Sequence, residues 1–106
     1  MTQYFESNDR VVGTVAGTGA SLNVPVGFVP RKVEVYNETK STCVVWVKGM
    51  TSGKGFLHTG AAYMSVLASA GISEYDGSSS YAPGFTIGAD GSVNISADTL
   101  VYVAYR

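Results

Sequence analysis

Cys43 and His58 are the side chains of this sequence best suited to act as a nucleophile and its base, but their settings argue against that chemistry. Cys43 lies in the apolar run CVVWV at 43–47, which predicts a small buried side chain. His58 is the single histidine and has no partner at a standard motif spacing. HExxH, CxxC and G-x-S-x-G are all missing from the chain. The sequence therefore predicts a protein that is not an enzyme and has no cofactor.

Signals for a metal or a phosphate are weak. Asp90, Asn94 and Asp98 offer oxygen ligands of the kind that Ca²⁺ prefers, but their spacing matches no EF-hand loop. Asp and Asn are also common in turns, where their side chains bond the local backbone, and we favour that role. The glycine-rich segment 13–19 contains G-x-G without a helix pattern after it. We therefore expect turns and close backbone approach there, and predict no metal site.

Composition limits the partner classes. The chain of 106 residues is the size of one domain. Its net charge is −1 and it contains no basic run, so the electrostatic footprint of a nucleic-acid binder is missing. No segment approaches the roughly 20 apolar residues of a membrane span, and MTQYFESNDR does not read as a secretory signal. Charged residues make up 14% against about 25% in typical domains, which favours an assembled setting.

Alternating apolar residues predict strands along most of the chain. Leu22–Phe28 alternates, with Pro25 typical of a sheet edge. Cys43–Lys48 is apolar on both faces, which predicts a central strand or one covered on both sides. Ala61–Ala70 fits either a helix of about three turns or a strand, and we favour the strand because its neighbours are β. Further strands are expected at Lys32–Asn37 and Leu100–Arg106.

One hairpin is predicted near the end of the chain. Phe85–Gly88 and Val93–Ser96 read as its two strands, with Asp90-Gly91 in the connection. Asp-Gly tolerates the positive φ angles that a tight hairpin turn needs.

These strands and turns define the expected fold class. Strands recur about every 10 residues, which predicts an all-β, single-domain antiparallel β-sandwich, jelly roll or barrel-like fold. Met1–Arg10 lacks a strand pattern and is predicted to be an N-terminal arm, with one β domain over 11–106.

Six residues are candidates for a partner interface. Aromatic side chains in polar segments supply rigid contact area, although such rings also cover edges of their own domain. Met50, in a glycine-rich turn, either meets a partner or plugs the end of the fold. Arg106 is expected at an assembly surface. The candidates are Tyr4, Phe5, Met50, Tyr75, Tyr81 and Arg106.

The order of several short motifs resembles a family of small phage and prophage structural proteins. The motifs are GFVP before the VEVYN strand, WVKGM, GISEYDG, and the C-terminal stretch APGFTIGADGSVNISADTLVYVAYR. They occur at Gly27–Pro30, Trp46–Met50, Gly71–Gly77 and Gly84–Arg106, and the resemblance spans about three quarters of the chain.

The resemblance implies a virion component made in the bacterial host cytoplasm. The expected function is a capsid decoration or cement protein on the capsid exterior that binds the major capsid protein as a homo-oligomer, with a trimer favoured. The arm Met1–Arg10 is the expected capsid contact. The alternative is a tail or tail-fibre adaptor that binds a receptor or glycan through Glu74–Gly84. A third interpretation is a glycan-binding jelly roll outside any virus.

Overall fold

The computed structural model describes residues 2–6, 9–59 and 64–106, and none of these is helical. The prediction of an all-β antiparallel domain is confirmed. The strands are β1 (Thr2–Glu6), β2 (Arg10–Ala16), β3 (Leu22–Pro25), β4 (Lys32–Asn37), β5 (Thr42–Val47), β6 (Lys54–His58), β7 (Met64–Tyr75), β8 (Gly84–Ile87) and β9 (Thr99–Tyr105).

All nine strands belong to one antiparallel sheet, in the order β1-β2-β9-β4-β5-β6-β7-β8-β3. The sheet is strongly curled. β8 lies five strands from β9, about 24 Å away if the sheet were flat. Yet the rings of Phe85 on β8 and Tyr102 on β9 meet edge to face with centroids 5.5 Å apart. Of the predicted forms, the structure is therefore a half-barrel made from one sheet.

The concave face of the sheet encloses the core. Alternate residues of strands β2 to β9 point inward where the structure describes their side chains, as the two-residue period of a strand requires, and valine predominates. Trp46 joins this core. The buried apolar residues are Val11, Val24, Val26, Val33, Val35, Val44, Trp46, Leu57, Ile72, Phe85, Ile87, Val93, Leu100, Tyr102 and Ala104.

Several strand predictions are confirmed. β5 lies between β4 and β6, which is the central position expected for Cys43–Lys48. β3 is an edge strand, as Pro25 indicates, because proline has no N–H for a neighbour on that side. Met64–Ala70 is strand rather than helix, and Ala61 to Tyr63 lie outside the described residues.

The predicted hairpin across Asp90-Gly91 is wrong. β8 pairs with β7 and β3, and Val93–Ser96 forms no strand. Instead, Asp90 begins a tight turn. Its backbone carbonyl accepts the N–H groups of Val93 (3.3 Å) and Asn94 (3.0 Å), and its side-chain Oδ2 accepts the N–H of Ser92 (3.0 Å). The turn is favoured over the hairpin because it places the side chains of Val93 and Asn94 in the interior, where each is 1% exposed.

The N-terminal segment also differs from the expected arm. Thr2–Glu6 pairs with β2 as the edge strand β1, with a shift of register between Gln3 and Phe5. An edge strand needs only backbone hydrogen bonds to one neighbour, so an alternating pattern is not required for it to form.

A buried asparagine side chain holds the segment from Gly88 to Asp98, here called the closing segment. The amide oxygen of Asn94 accepts the N–H groups of Thr18 (2.9 Å) and Gly19 (3.3 Å). Its amide nitrogen donates to the carbonyls of Ala20 (2.7 Å) and Gly88 (2.9 Å). One side chain thus joins the β2–β3 loop to the end of β8.

Asn37 on β4 holds the same segment from the other side. Its Nδ2 donates to the Val93 carbonyl (2.8 Å) and to Asp98 Oδ2 (3.1 Å), while its Oδ1 accepts the N–H of Lys40 (2.9 Å). Asp90 bonds its local backbone, which is the turn role favoured from the sequence. Asn94 and Asp98 instead bond residues distant in sequence, in the β2–β3 loop and on β4.

Gly17 lets the closing segment approach the β2–β3 loop. The Gly17 N–H donates to the Asp98 carbonyl (2.9 Å) and its carbonyl accepts from Ala97 N–H (3.0 Å). A Cβ at this position would lie 2.1 Å from the Ile95 carbonyl oxygen, so no larger residue fits. The glycine-rich segment serves the close backbone approach expected for it.

We predict that Asn94→Ala lowers the free energy of unfolding by about 2–4 kcal/mol, because it leaves buried backbone groups without partners. Asn94→Asp should also be destabilising, since a carboxylate cannot donate to the Ala20 and Gly88 carbonyls. Ser96→Ala, at an exposed neighbouring position, is the control and should change little. Urea unfolding measures all three, and an Asn94→Ala midpoint equal to that of wild type would contradict the assignment.

Candidate functional site

Two of the predicted interface tyrosines meet at one groove. Tyr75, at the end of β7, and Tyr81, in the β7–β8 loop, line an open groove of about 360 Å³ together with Asn23 and Pro25 of β3. Tyr81 is 64% exposed, which is the highest value among the large apolar or aromatic side chains that the structure describes as exposed. We call this feature the tyrosine groove.

Strand register explains why the groove exists. Pro25, Gly84 and Tyr75 are direct partners across β3, β8 and β7. Directly paired residues put their side chains on the same face of a sheet, here the outer face. A Cβ at Gly84 would lie 1.9 Å from the Val24 carbonyl oxygen, so the close approach of β3 to β8 requires glycine. Register thus brings Pro25 and Tyr75 to one groove.

The loop that carries Tyr81 is held by its own hydrogen bonds. The Ser78 hydroxyl accepts the N–H groups of Ser80 and Tyr81, each at 3.2 Å, and the Ser78 N–H donates to the Tyr81 carbonyl at 2.9 Å. The Pro83 carbonyl accepts the N–H groups of Val26 and Gly27, each at 3.0 Å, which ties the loop to the end of β3. The Tyr81 ring is therefore exposed, while hydrogen bonds hold the backbone of its turn in place.

A second candidate surface is the convex face of the sheet. A row of direct partners crosses six strands, from β2 to β7. Five of its six residues are apolar, whereas the outer face of an antiparallel sheet is normally polar. Phe56 is 37% exposed and Val66 is 55% exposed. The row, here called the apolar row, is Val12, Val103, Glu34, Val45, Phe56 and Val66.

Apolar side chains continue beside the apolar row. Tyr36 and Val47 on the same face are also exposed, and Val101 and Cys43 flank Tyr36 in the next row of partners. The convex face of the central strands is thus apolar over two adjoining rows.

Glu34 is the one charged residue within the apolar row, and its neighbours neutralise it. Lys32 Nζ lies 3.2 Å from Glu34 Oε2. The Tyr36 hydroxyl donates to Glu34 Oε1 at 2.8 Å, and the Tyr105 hydroxyl lies 3.5 Å from the same oxygen. Lys32 also stands over the Tyr105 ring, 5.3 Å from its centroid. The Lys32–Glu34 pair therefore carries no net charge.

Two groups beside Glu34 have raised pKa values. Burial, followed by the hydrogen bond to the Glu34 carboxylate and its charge, raises the pKa of Tyr36 from 10.0 to about 12. Burial is also the largest cause that raises the pKa of the half-buried Cys43 thiol, which outweighs a backbone hydrogen bond at His58. A raised pKa keeps the thiol protonated, so this cysteine is a poor nucleophile.

The other predicted interface residues lie elsewhere. Met50 is half-buried and packs against the core, which is the plug role that the sequence left open. Arg106 is exposed, with its guanidinium 5.1 Å from the Phe28 ring centroid and its N–H donating to the Asp9 carbonyl. Tyr4 and Phe5 lie on β1, and their side chains are outside the described residues.

Part of the apolar row is visible in the sequence, as the apolar run at Cys43–Lys48. Cys43–Lys48 is apolar on both faces, which predicts a central strand or one covered on both sides. The central position is confirmed, but Cys43, Val45 and Val47 lie on the convex face of the chain with no second layer of described residues over them. Phe56 and Val66 were missed because their own segments are short and mixed.

Comparison of the chain with known protein families, curated proteins and solved structures finds no match. Among the residues that the structure describes, no helix is long and apolar enough to cross a membrane.

The Tyr36–Glu34 contact generates a pH prediction. The pKa of Tyr36 is higher in the folded chain than in the unfolded chain. Tyr36 therefore contributes to the free energy of unfolding in full below pH 10, and this contribution is lost as pH rises from 10 to about 12. Tyr36→Phe should therefore lose less stability than wild type over this range, as measured by urea unfolding at a series of pH values. Tyr81→Phe, which alters an exposed tyrosine distant from Glu34 in the sheet order, should behave like wild type. Equal pH slopes for Tyr36→Phe and wild type would refute the contact.

Proposed function

We propose that this protein is a non-enzymatic structural protein of a phage virion, which decorates the capsid and stabilises its shell as a homo-oligomer. The observation that carries the assembly role is the apolar row on the convex face. The virion setting comes from the resemblance of the ordered motifs at Gly27–Pro30, Trp46–Met50, Gly71–Gly77 and Gly84–Arg106 to small phage structural proteins.

The apolar row favours a role in assembly because exposed apolar area is costly. Burying apolar surface stabilises a complex by about 25 cal/mol per Å², and contiguous apolar patches on soluble chains commonly mark interfaces. Phe56 and Val66 are direct partners on neighbouring strands, so their exposed side chains form one continuous patch. A partner that covers β5, β6 and β7 would bury both.

Charge favours a second copy of this chain as that partner. Two identical surfaces that meet across a symmetry axis repel each other when each has a net charge. Here Glu34 is matched by Lys32 at 3.2 Å, and the rest of the apolar row is uncharged. Two sheet faces can then pack about 10 Å apart as they do in a β-sandwich. Face-to-face packing of this kind joins two copies, whereas the resemblance implies a trimer, so the mass of the assembly in solution decides between the two.

Attachment to the major capsid protein would use surfaces that self-assembly leaves open. β1 and β3 are the two edges of the sheet, and edge strands have unpaired backbone groups that suit contact with another chain. An oligomer presents several such edges at once. Multivalent contact adds affinity without a strong single contact, which is how a decoration protein would bridge capsid subunits.

We predict that Phe56→Arg weakens self-association by at least about tenfold, because the buried phenyl surface is replaced by a charge in each copy. Analytical ultracentrifugation of wild type and variant measures the effect. Tyr81→Arg introduces the same charge at an exposed ring outside the apolar row and should assemble like wild type. A wild-type protein that stays monomeric at high concentration would refute the assembly interface.

Location in the particle tests the virion role separately. A decoration protein should be present in copy number comparable to that of the major capsid protein and should appear as density on the capsid exterior by cryo-electron microscopy. A protein absent from purified virions would refute the proposal.

The second candidate is a tail or tail-fibre adaptor, and the tyrosine groove is the observation that favours it. The segment Glu74–Gly84 carries Tyr75 at the end of β7 and Tyr81 in the following loop, and both line an open groove rather than a sealed core. An adaptor should appear in far fewer copies than the major capsid protein, with density at the tail.

A further inference from the structure

We propose that the tyrosine groove is a binding site for a neutral saccharide. This site is independent of the assembly role, because Tyr75 and Tyr81 are not part of the apolar row. It gives the chain a ligand-binding activity in addition to a structural one.

The dimensions of the groove suit a small ligand. Its volume of about 360 Å³ is at the lower end of the roughly 300–1,000 Å³ range of small-molecule sites. The groove is open to solvent and includes Asn23 and Pro25 of the edge strand β3 in its lining.

The chemistry of the lining selects a neutral ligand with both apolar and hydroxyl surfaces. Two tyrosines, a proline and an asparagine line the groove, and none of these described side chains is charged. The faces of aromatic rings carry partial negative charge and attract the weakly positive C–H groups of a pyranose face. The amide of Asn23 and the phenol hydroxyls supply hydrogen bonds for sugar hydroxyls.

The asparagine is oriented for this role. Thr86 Oγ1 donates to Asn23 Oδ1 at 2.6 Å, which fixes the plane of the amide. The Asn23 Nδ2 group makes no hydrogen bond to the residues that the structure describes, so both of its N–H groups can donate to a ligand. A fixed donor loses little conformational entropy when a ligand binds.

The tyrosines are also pre-positioned. Ser78 holds the backbone of Tyr81 through hydrogen bonds of 2.9 and 3.2 Å. Gly77 has a φ of 87°, and a Cβ there would lie 2.9 Å from the Tyr81 carbonyl oxygen, so the turn requires glycine. Tyrosine has few rotatable bonds, and it therefore provides contact area at a low entropic cost.

A proline-rich peptide is the other ligand that binds aromatic grooves, and the lining favours it less. A polyproline helix presents carbonyl acceptors, and its proline residues have no N–H groups to donate. The Asn23 amide and the tyrosine hydroxyls include both donors and acceptors. Sugar hydroxyls also both donate and accept, so a saccharide satisfies more of these groups.

An array of neutral and acidic oligosaccharides, with a proline-rich decapeptide included, tests the proposal on the full-length protein. Affinities for the retained saccharides are then measured by NMR titration at concentrations up to millimolar. We expect neutral oligosaccharides to be retained and to shift the resonances of Tyr75, Tyr81 and Asn23. Retention of only acidic sugars, of only the peptide, or of nothing would overturn the proposal.

Tyr81 variants make the test specific. Tyr81→Ala should weaken saccharide binding by about tenfold or more, because the stacking ring is lost, whereas Tyr81→Phe should keep most of the affinity. Ser79→Ala, at an exposed position in the same loop, is the matched control and should bind like wild type. Tyr81 is so exposed that its removal should leave the fold intact, which thermal unfolding checks. Unchanged binding by Tyr81→Ala would overturn the assignment of the groove.

Phe56→Arg separates this proposal from the assembly proposal. The variant alters the apolar row and leaves the groove residues in place, so it should bind saccharide in the NMR titration as wild type does. Loss of self-association with retained saccharide binding is the expected combination. Loss of both in Phe56→Arg would show that the groove depends on assembly, which contradicts the independence argued here.

Discussion

The buried amide of Asn94 is the interaction on which the closed end of this fold depends. Four hydrogen bonds join it to Thr18, Gly19, Ala20 and Gly88, and Asn37 adds two bonds to the same closing segment. A buried amide is costly unless its donors and acceptor lone pairs are satisfied, so these bonds are satisfied together or not at all. They hold the segment of Gly88 to Asp98 across the curled sheet and place Val93 in the core.

The curl of the sheet then determines what is left for partners. A single curled sheet uses its concave face for the core, as the 5.5 Å distance between the ring centroids of Phe85 and Tyr102 shows. Its convex face has no second sheet of described residues to cover it. The apolar row on that face and the neutral Lys32–Glu34 pair support an assembled state, while the tyrosine groove beside the β3 edge supports a small ligand. Both surfaces include a residue of β7, Val66 in the apolar row and Tyr75 in the groove, but they share no residue and can act at the same time.

Local pattern predicted most strands but misjudged one pairing. Alternation indicated a strand at Lys32–Asn37, where Val33 and Val35 point inward, and the apolar run at Cys43–Lys48 indicated a central strand, where Val44 and Trp46 point inward. Asp90-Gly91 is a strong local hairpin signal, yet β8 pairs with β3 and β7. The local preference was overridden by Asn94, whose bonding partners lie 74 to 76 residues away in the β2–β3 loop. A local sequence pattern cannot predict contacts between residues so far apart in the chain.

The sequence by itself determined that the chain is all-β, that Cys43–Lys48 is central and that Pro25 is at an edge. These properties follow from side-chain alternation and from the missing N–H of proline, which are local. Only the tertiary structure decided that one sheet curls to make the core and that Tyr75 and Tyr81 line one groove. It likewise decided that Val45, Phe56 and Val66 form one row on the convex face, in which Phe56 and Val66 are exposed. Register between strands distant in sequence sets these outcomes, because it brings residues from separate segments onto one face.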